Sequence, residues 1–151
     1  MKGASDLFLA AGAVLLASCG AYPRDIDGTR ERVEAGHVMR VGIFQGSLAG
    51  PDRALAAAFL ARLSRATGAE PRLVTDAAEP LLARLEAGEL DLVIGEIAED
   101  SPWLTDVAVI EPLSEHSLGE RTVGLSPIAR NGENRWVMLL EREVRDMRAG
   151  G

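Results

Sequence analysis

Between Val38 and Gly95 three short apolar runs alternate with two stretches of helical periodicity, and this alternation constrains the chain more than any other feature. Val38-Met39-Arg40-Val41-Gly42-Ile43-Phe44 is short, apolar and β-branched, and it ends at Gln45-Gly46-Ser47, a turn. Pro51 then opens a helix at a position where its missing N–H costs nothing. Leu55, Ala58, Phe59, Leu63 and Ala66 recur at three- and four-residue spacing, and Gly68 follows as the helix stop. Arg72-Leu73-Val74-Thr75 reads as a brief second strand. Leu81, Leu82 and Leu85 form one face of a short helix from Pro80 to Glu86, and Leu90-Asp91-Leu92-Val93-Ile94-Gly95 is the clearest strand of the chain. Strand, helix, strand, helix, strand over these distances predicts a mainly parallel sheet with right-handed crossovers. The expected fold is therefore α/β, a single small three-layer domain.

Beyond Gly95 the pattern loosens. An acidic loop with Pro102 and Trp103 precedes a short apolar run from Val107 to Ile110. Glu111 to Arg121 is polar and reads as loop. Thr122 to Ala129 reads as a last strand, which Pro127 places at an edge of the sheet. Asn131-Gly132 turns into a closing helix traced by Trp136, Leu139, Leu140, Glu143 and Met147, with Val144 completing its apolar face.

The N-terminus carries a different kind of signal. Met1 and Lys2 precede an uncharged run from Leu7 to Ala17, the length of a signal-peptide core, which ends in Leu16-Ala17-Ser18-Cys19. That ending has the form of a bacterial lipobox: small residues admit the peptidase, and the Cys19 thiol accepts the lipid. Residues 1–18 are expected as a lipoprotein signal peptide, 19–36 as a lipidated tether with a helical turn or two near Thr29 to Val33, and 37–151 as the folded domain. Attached acyl chains would anchor the protein to a membrane, at about 0.8 kcal/mol for each buried methylene, and the expected location is the periplasmic face. Cys19 is the only cysteine, so neither an internal disulfide nor a thiolate metal site can be built.

A formal charge of −7 argues against nucleic acid as a partner, which requires a footprint of clustered Lys and Arg. No nucleotide-binding glycine pattern follows the first strand. His37 and His116, the only histidines, lack ligand spacing, and no nucleophile is paired with a base, so an enzyme, a metal and a cofactor are not expected. Ligands of open parallel sheets bind beyond the carboxyl ends of the strands. In this chain those ends bring Gln45, Gly46 and Ser47 from the first strand and Asp76 from the second. Glu96, Ser101 and Trp103 come from the third. Glu99, Asp100, Asp106 and Glu111 add acidity nearby, which serves a cationic or hydroxylated ligand or merely solvates a rim.

The run Leu82-Ala83-Arg84-Leu85-Glu86-Ala87-Gly88-Glu89-Leu90-Asp91-Leu92-Val93-Ile94-Gly95 resembles the helix, turn and strand of bacterial periplasmic solute-binding proteins of family 3, the amino-acid type that serves ABC transporters. Ser101-Pro102-Trp103 and Ile110-Glu111-Pro112-Leu113 are similar to that family's next loop and crossover. Tyr22 to Val33 is similar to the leader of its lipoprotein members, and Arg130 to Asn134 to the segment that returns to the first lobe. The resemblance implies lobe 1 of a type II periplasmic binding protein, a small polar solute and a transporter or other envelope protein as partners. It also marks departures. Only Ser114 to Arg121 stands where a second lobe would be inserted, and Leu104, Thr105 and Asp106 stand where the family places its carboxylate-binding arginine. Two functions follow from this: a reduced, one-lobe solute receptor, or a scaffold that has lost its ligand and docks on an envelope protein.

Overall fold

The computed structural model describes residues 24–98 and 100–150. Cys19 and the expected signal peptide, together with Glu99, lie outside the described residues. The elements are α1 (Thr29–Gly36), β1 (Val38–Phe44), α2 (Pro51–Thr67), β2 (Glu70–Asp76) and α3 (Ala78–Glu86). They continue with β3 (Leu92–Ala98), a 3-10 turn (Pro102–Thr105), β4 (Val107–Val109), β5 (Ser114–Leu118), β6 (Arg121–Arg130) and α4 (Asn134–Ala149). No helix among the described residues is long and apolar enough to cross a membrane.

The sheet runs β2-β1-β3-β6-β4, with β5 beside β6. β1 pairs in parallel with β2 and β3, and β6 is antiparallel to β3, β4 and β5. Every strand but β6 therefore points the same way, as a mainly parallel sheet requires. Alternate residues of β1 and β3 feed two cores. Met39, Val41, Ile43, Leu92 and Ile94 pack under α1, α2 and α4 with Phe59, Leu63, Trp136 and Leu140. Phe44 and Val93 face α3, meeting Leu81, Leu82, Leu85 and Ile128. Burial on both faces is why β1 and β3 are apolar runs and not alternating ones.

Four expectations need correction. Pro127 does not mark an edge: β6 lies in the interior of the sheet, with Pro127 opposite Ile94 of β3. In an antiparallel strand the N–H and C=O of one residue point to the same side. The Pro127 carbonyl accepts from Ile110 N–H at 2.9 Å, so its imide nitrogen faces the crossover between β4, which ends opposite Ile128, and β5, which begins opposite Leu125. No ladder donor is needed at that gap. The expected loop from Glu111 to Arg121 contains β5, closed onto β6 by a two-residue turn at Gly119-Glu120, with Gly119 at φ 65°. A turn this short demands positive φ, which glycine adopts without strain.

The face of α2 is rotated: Ala56, Phe59, Leu60, Leu63 and Thr67 are buried, while Ala58 and Ala66 are exposed. Alanine buries too little area to set a helix's orientation against Phe and Leu. Finally, the expected tether is docked from Asp25 onward. Val33 is fully buried, and the Asp25 carboxylate accepts from the N–H groups of Arg30 and Trp136. The buried Glu133 carboxylate accepts from the N–H groups of Asp27 and Thr29, both at 2.7 Å. These charge-assisted bonds clip α1 to the start of α4.

Candidate functional site

The carboxyl ends of β1, β2 and β3 are tied to one another by hydrogen bonds. Gln45 N–H donates to the Asp76 carbonyl at 2.8 Å, joining the ends of β1 and β2. Ser47 is buried, and its Oγ accepts the Glu96 N–H at 2.9 Å, joining the loop after β1 to β3. Gln45, Gly46 and Asp76 are exposed on this rim, and Glu96 is half-buried. Ser101 is half-buried and turns the chain after β3 through its N–H, which bonds the Ala98 carbonyl at 3.0 Å. The Trp103 backbone lies in the 3-10 turn; its side chain is outside the description. The rim thus gathers Gln45, Gly46, Ser47, Asp76, Glu96 and Ser101 at one end of the sheet.

Two neighbours join them that the sequence did not single out. Asp52, in the first turn of α2, accepts from Ser114 Oγ at 2.6 Å. His116 on β5 brings Nε2 to 3.1 Å from Glu96 Oε1. One ligand-type atom from each of Asp52, Glu96 and His116 lies within 4.8 Å of the others. Asp52 reads in sequence only as a helix start and His116 only as a loop residue. Their proximity is set by a β5–β6 hairpin that the polar segment concealed. Asp106 is exposed beyond the 3-10 turn, and Glu111 pairs with Arg148 at 3.0 Å.

A cleft of about 320 Å³ opens beside the rim, lined by Phe44, Leu82, Glu96, Ile97, Ser101 and Arg121 among others. Arg121 is paired with Asp100 at 3.2 Å. Phe44 lies across Gly95, where an added Cβ would stand 2.0 Å from its ring. Gly95→Ala is therefore expected to cost about 1–3 kcal/mol, the usual penalty of overpacking. Adding Phe44→Leu should recover part of that loss in urea titrations, and strictly additive effects would contradict the contact.

No family model matches the chain, and no curated protein matches it. Among solved structures it is similar to the arginine-bound form of domain 1 from TmArgBP, with a TM-score of 0.61 and 17% identity over 76% of this chain and 97% of that one. It is also similar to an ancestral cationic amino acid solute binding protein, with a TM-score of 0.65 and 11% identity over 82% and 95% of the two chains. A mutant ArgBP from T. maritima gives 0.64 and 10% over 82% and 94%. The chain therefore shares the fold of a single lobe of these binding proteins, a mixed α/β domain with a mostly parallel central sheet.

Proposed function

We propose that the chain is a lipoprotein anchored through Cys19 on the periplasmic face of a bacterial membrane, and that its lobe captures a small polar solute bearing positive charge. The observation that carries this reading is the rim itself. Three strand ends are locked together by the Gln45–Asp76 and Ser47–Glu96 bonds, and no arginine among the described residues pairs with Asp52, Asp76 or Glu96. Those carboxylates suit an ammonium or guanidinium group. The arginine-bound form of domain 1 from TmArgBP is a precedent for solute held on a single domain of this fold. No second domain stands between β5 and β6, which only Gly119 and Glu120 separate, so a solute held by this lobe alone is expected to bind with modest affinity. Transport with an ABC transporter as partner follows from the same reading. No enzymatic step is assigned.

The test is thermal unfolding of the chain, with EDTA present, against basic amino acids, polyamines and neutral amino acids. A solute at 100 times its dissociation constant adds about 2.7 kcal/mol, a shift of several degrees. Glu96→Gln should abolish that shift. In cells, Cys19→Ser should release the chain from the membrane fraction, and membrane retention of that variant would contradict the anchor.

A second reading, docking on an envelope protein, is favoured by the edge strand β2. Leu73 there is 56% exposed, and among the described residues one edge of the strand has no neighbour in the sheet. A cooperative melt that no solute shifts would select it.

A further inference from the structure

We propose that Asp52, Glu96 and His116 form a binding site for a divalent transition-metal ion of the zinc class. The three come from three separate elements, α2, β3 and β5, and their ligand atoms converge within 4.8 Å. Zinc bound tetrahedrally by nitrogen and oxygen at about 2.0–2.1 Å places its ligand atoms about 3.3 Å apart. The Glu96 Oε1 to His116 Nε2 distance of 3.1 Å already matches one edge of that tetrahedron. Asp52 supplies the third ligand atom, within 4.8 Å of the other two, and its carboxylate accepts from the Ser114 hydroxyl at 2.6 Å. Three protein ligands leave a fourth position open.

The charge around the trio points the same way. Asp91, Asp100, Glu133 and Glu143 each hold an arginine. Among the described residues no arginine is paired with Asp52 or Glu96, and the single lysine, Lys2, lies outside them. Two carboxylates therefore lie close together, with His116 beside Glu96 and the Ser114 hydroxyl on Asp52. A divalent cation supplies the missing charge, and an imidazole in the set selects zinc-like ions over magnesium and calcium, which prefer all-oxygen ligands.

The site shares Asp52 and Glu96 with the solute rim but is independent of solute capture, since it is tested with no organic ligand present. Calorimetric titration of the purified chain with zinc chloride should show one equivalent binding. His116→Ala and Asp52→Asn should each weaken it at least tenfold, while His37→Ala and Cys19→Ser leave it unchanged. Magnesium chloride should not compete. The His116 side chain is 43% exposed, so its alanine variant should still melt cooperatively; if it does not, His116→Gln serves in its place. Absence of zinc binding, binding that survives His116→Ala and Asp52→Asn, or binding lost with His37→Ala or Cys19→Ser would overturn the proposal.

Discussion

Trp136→Ala should destabilise the domain by about 3–5 kcal/mol, the cost of emptying a large buried aromatic site. Trp136 is fully buried beneath β3 in the larger of the two cores. Its indole Nε1–H donates to the Asp91 carbonyl at 2.7 Å, and its backbone N–H donates to the Asp25 carboxylate at 2.9 Å. The substitution removes the ring and strips the Asp91 carbonyl of its donor, but it leaves the backbone bond intact. Small domains have roughly 5–15 kcal/mol of stability in all, so the midpoint should fall by roughly 10–20 °C. Trp136→Phe separates the two terms, because it keeps most of the volume and loses only the hydrogen bond, worth about 1–2 kcal/mol. A melt of Trp136→Ala within a few degrees of the parent would mean that α4 does not seal the core as described.

That α4 carries a buried tryptophan was legible from its spacing. Trp136, Leu139, Leu140 and Val144 follow the helical period without a competing apolar face, and all four are buried. The same holds for Leu81, Leu82 and Leu85 of α3, and for β1 and β3, whose unbroken apolar runs can be satisfied only by burial on both faces. What was hidden depends on partners distant in sequence. Pro127 reads as an edge residue because a proline cannot join a ladder, and only the gap between β4 and β5 makes its central place tolerable. β5 is polar because its residues Glu115, His116 and Ser117 are exposed in a hairpin beyond the helices, so no hydrophobic alternation advertises it. The docking of α1 rests on buried carboxylate bonds from Glu133, and composition cannot show which partners a buried glutamate finds.

The candidate site divides in the same way. Residues that follow strand ends were legible, because a parallel sheet fixes where strand ends go; Gln45, Ser47, Asp76 and Glu96 meet accordingly. Asp52 and His116 were not, since 62 residues separate Asp52 from its partner Ser114 and the hairpin that closes this distance has no sequence signature.

Acid should loosen this fold chiefly through Asp91. The side chain is almost wholly buried, and it accepts from Arg40 N–H at 2.8 Å, Arg40 Nε at 2.9 Å, Arg40 Nη2 at 2.6 Å and Arg32 Nη2 at 2.7 Å. Burial by itself would raise the pKa of its carboxyl. The bonds from the Arg40 side chain and backbone, then from Arg32, outweigh that and hold it below the ordinary value of 3.8. Glu133 behaves alike: burial pushes it up, but the N–H groups of Asp27 and Thr29 and the charge of Arg130 bring it below the ordinary 4.5. A carboxylate with a depressed folded pKa binds protons more weakly folded than unfolded, so its stabilisation is complete above the unfolded value and is lost as pH falls through the folded one. Stability should therefore be level near neutrality and fall once pH drops below about 4.5. Asp91→Asn should lose about 2–3 kcal/mol at pH 7. That is less than the roughly 3–5 kcal/mol of a fully buried pair, because water still reaches both guanidinium groups, whose side chains are 36% and 42% exposed. The gap between parent and variant in urea titrations should narrow as pH falls below the ordinary 3.8 towards the lower folded value, because proton uptake by the unfolded parent removes the advantage of its charge. A gap between the two that is as wide at pH 3 as at pH 7 would show that Asp91 acts through shape alone and not through its charge.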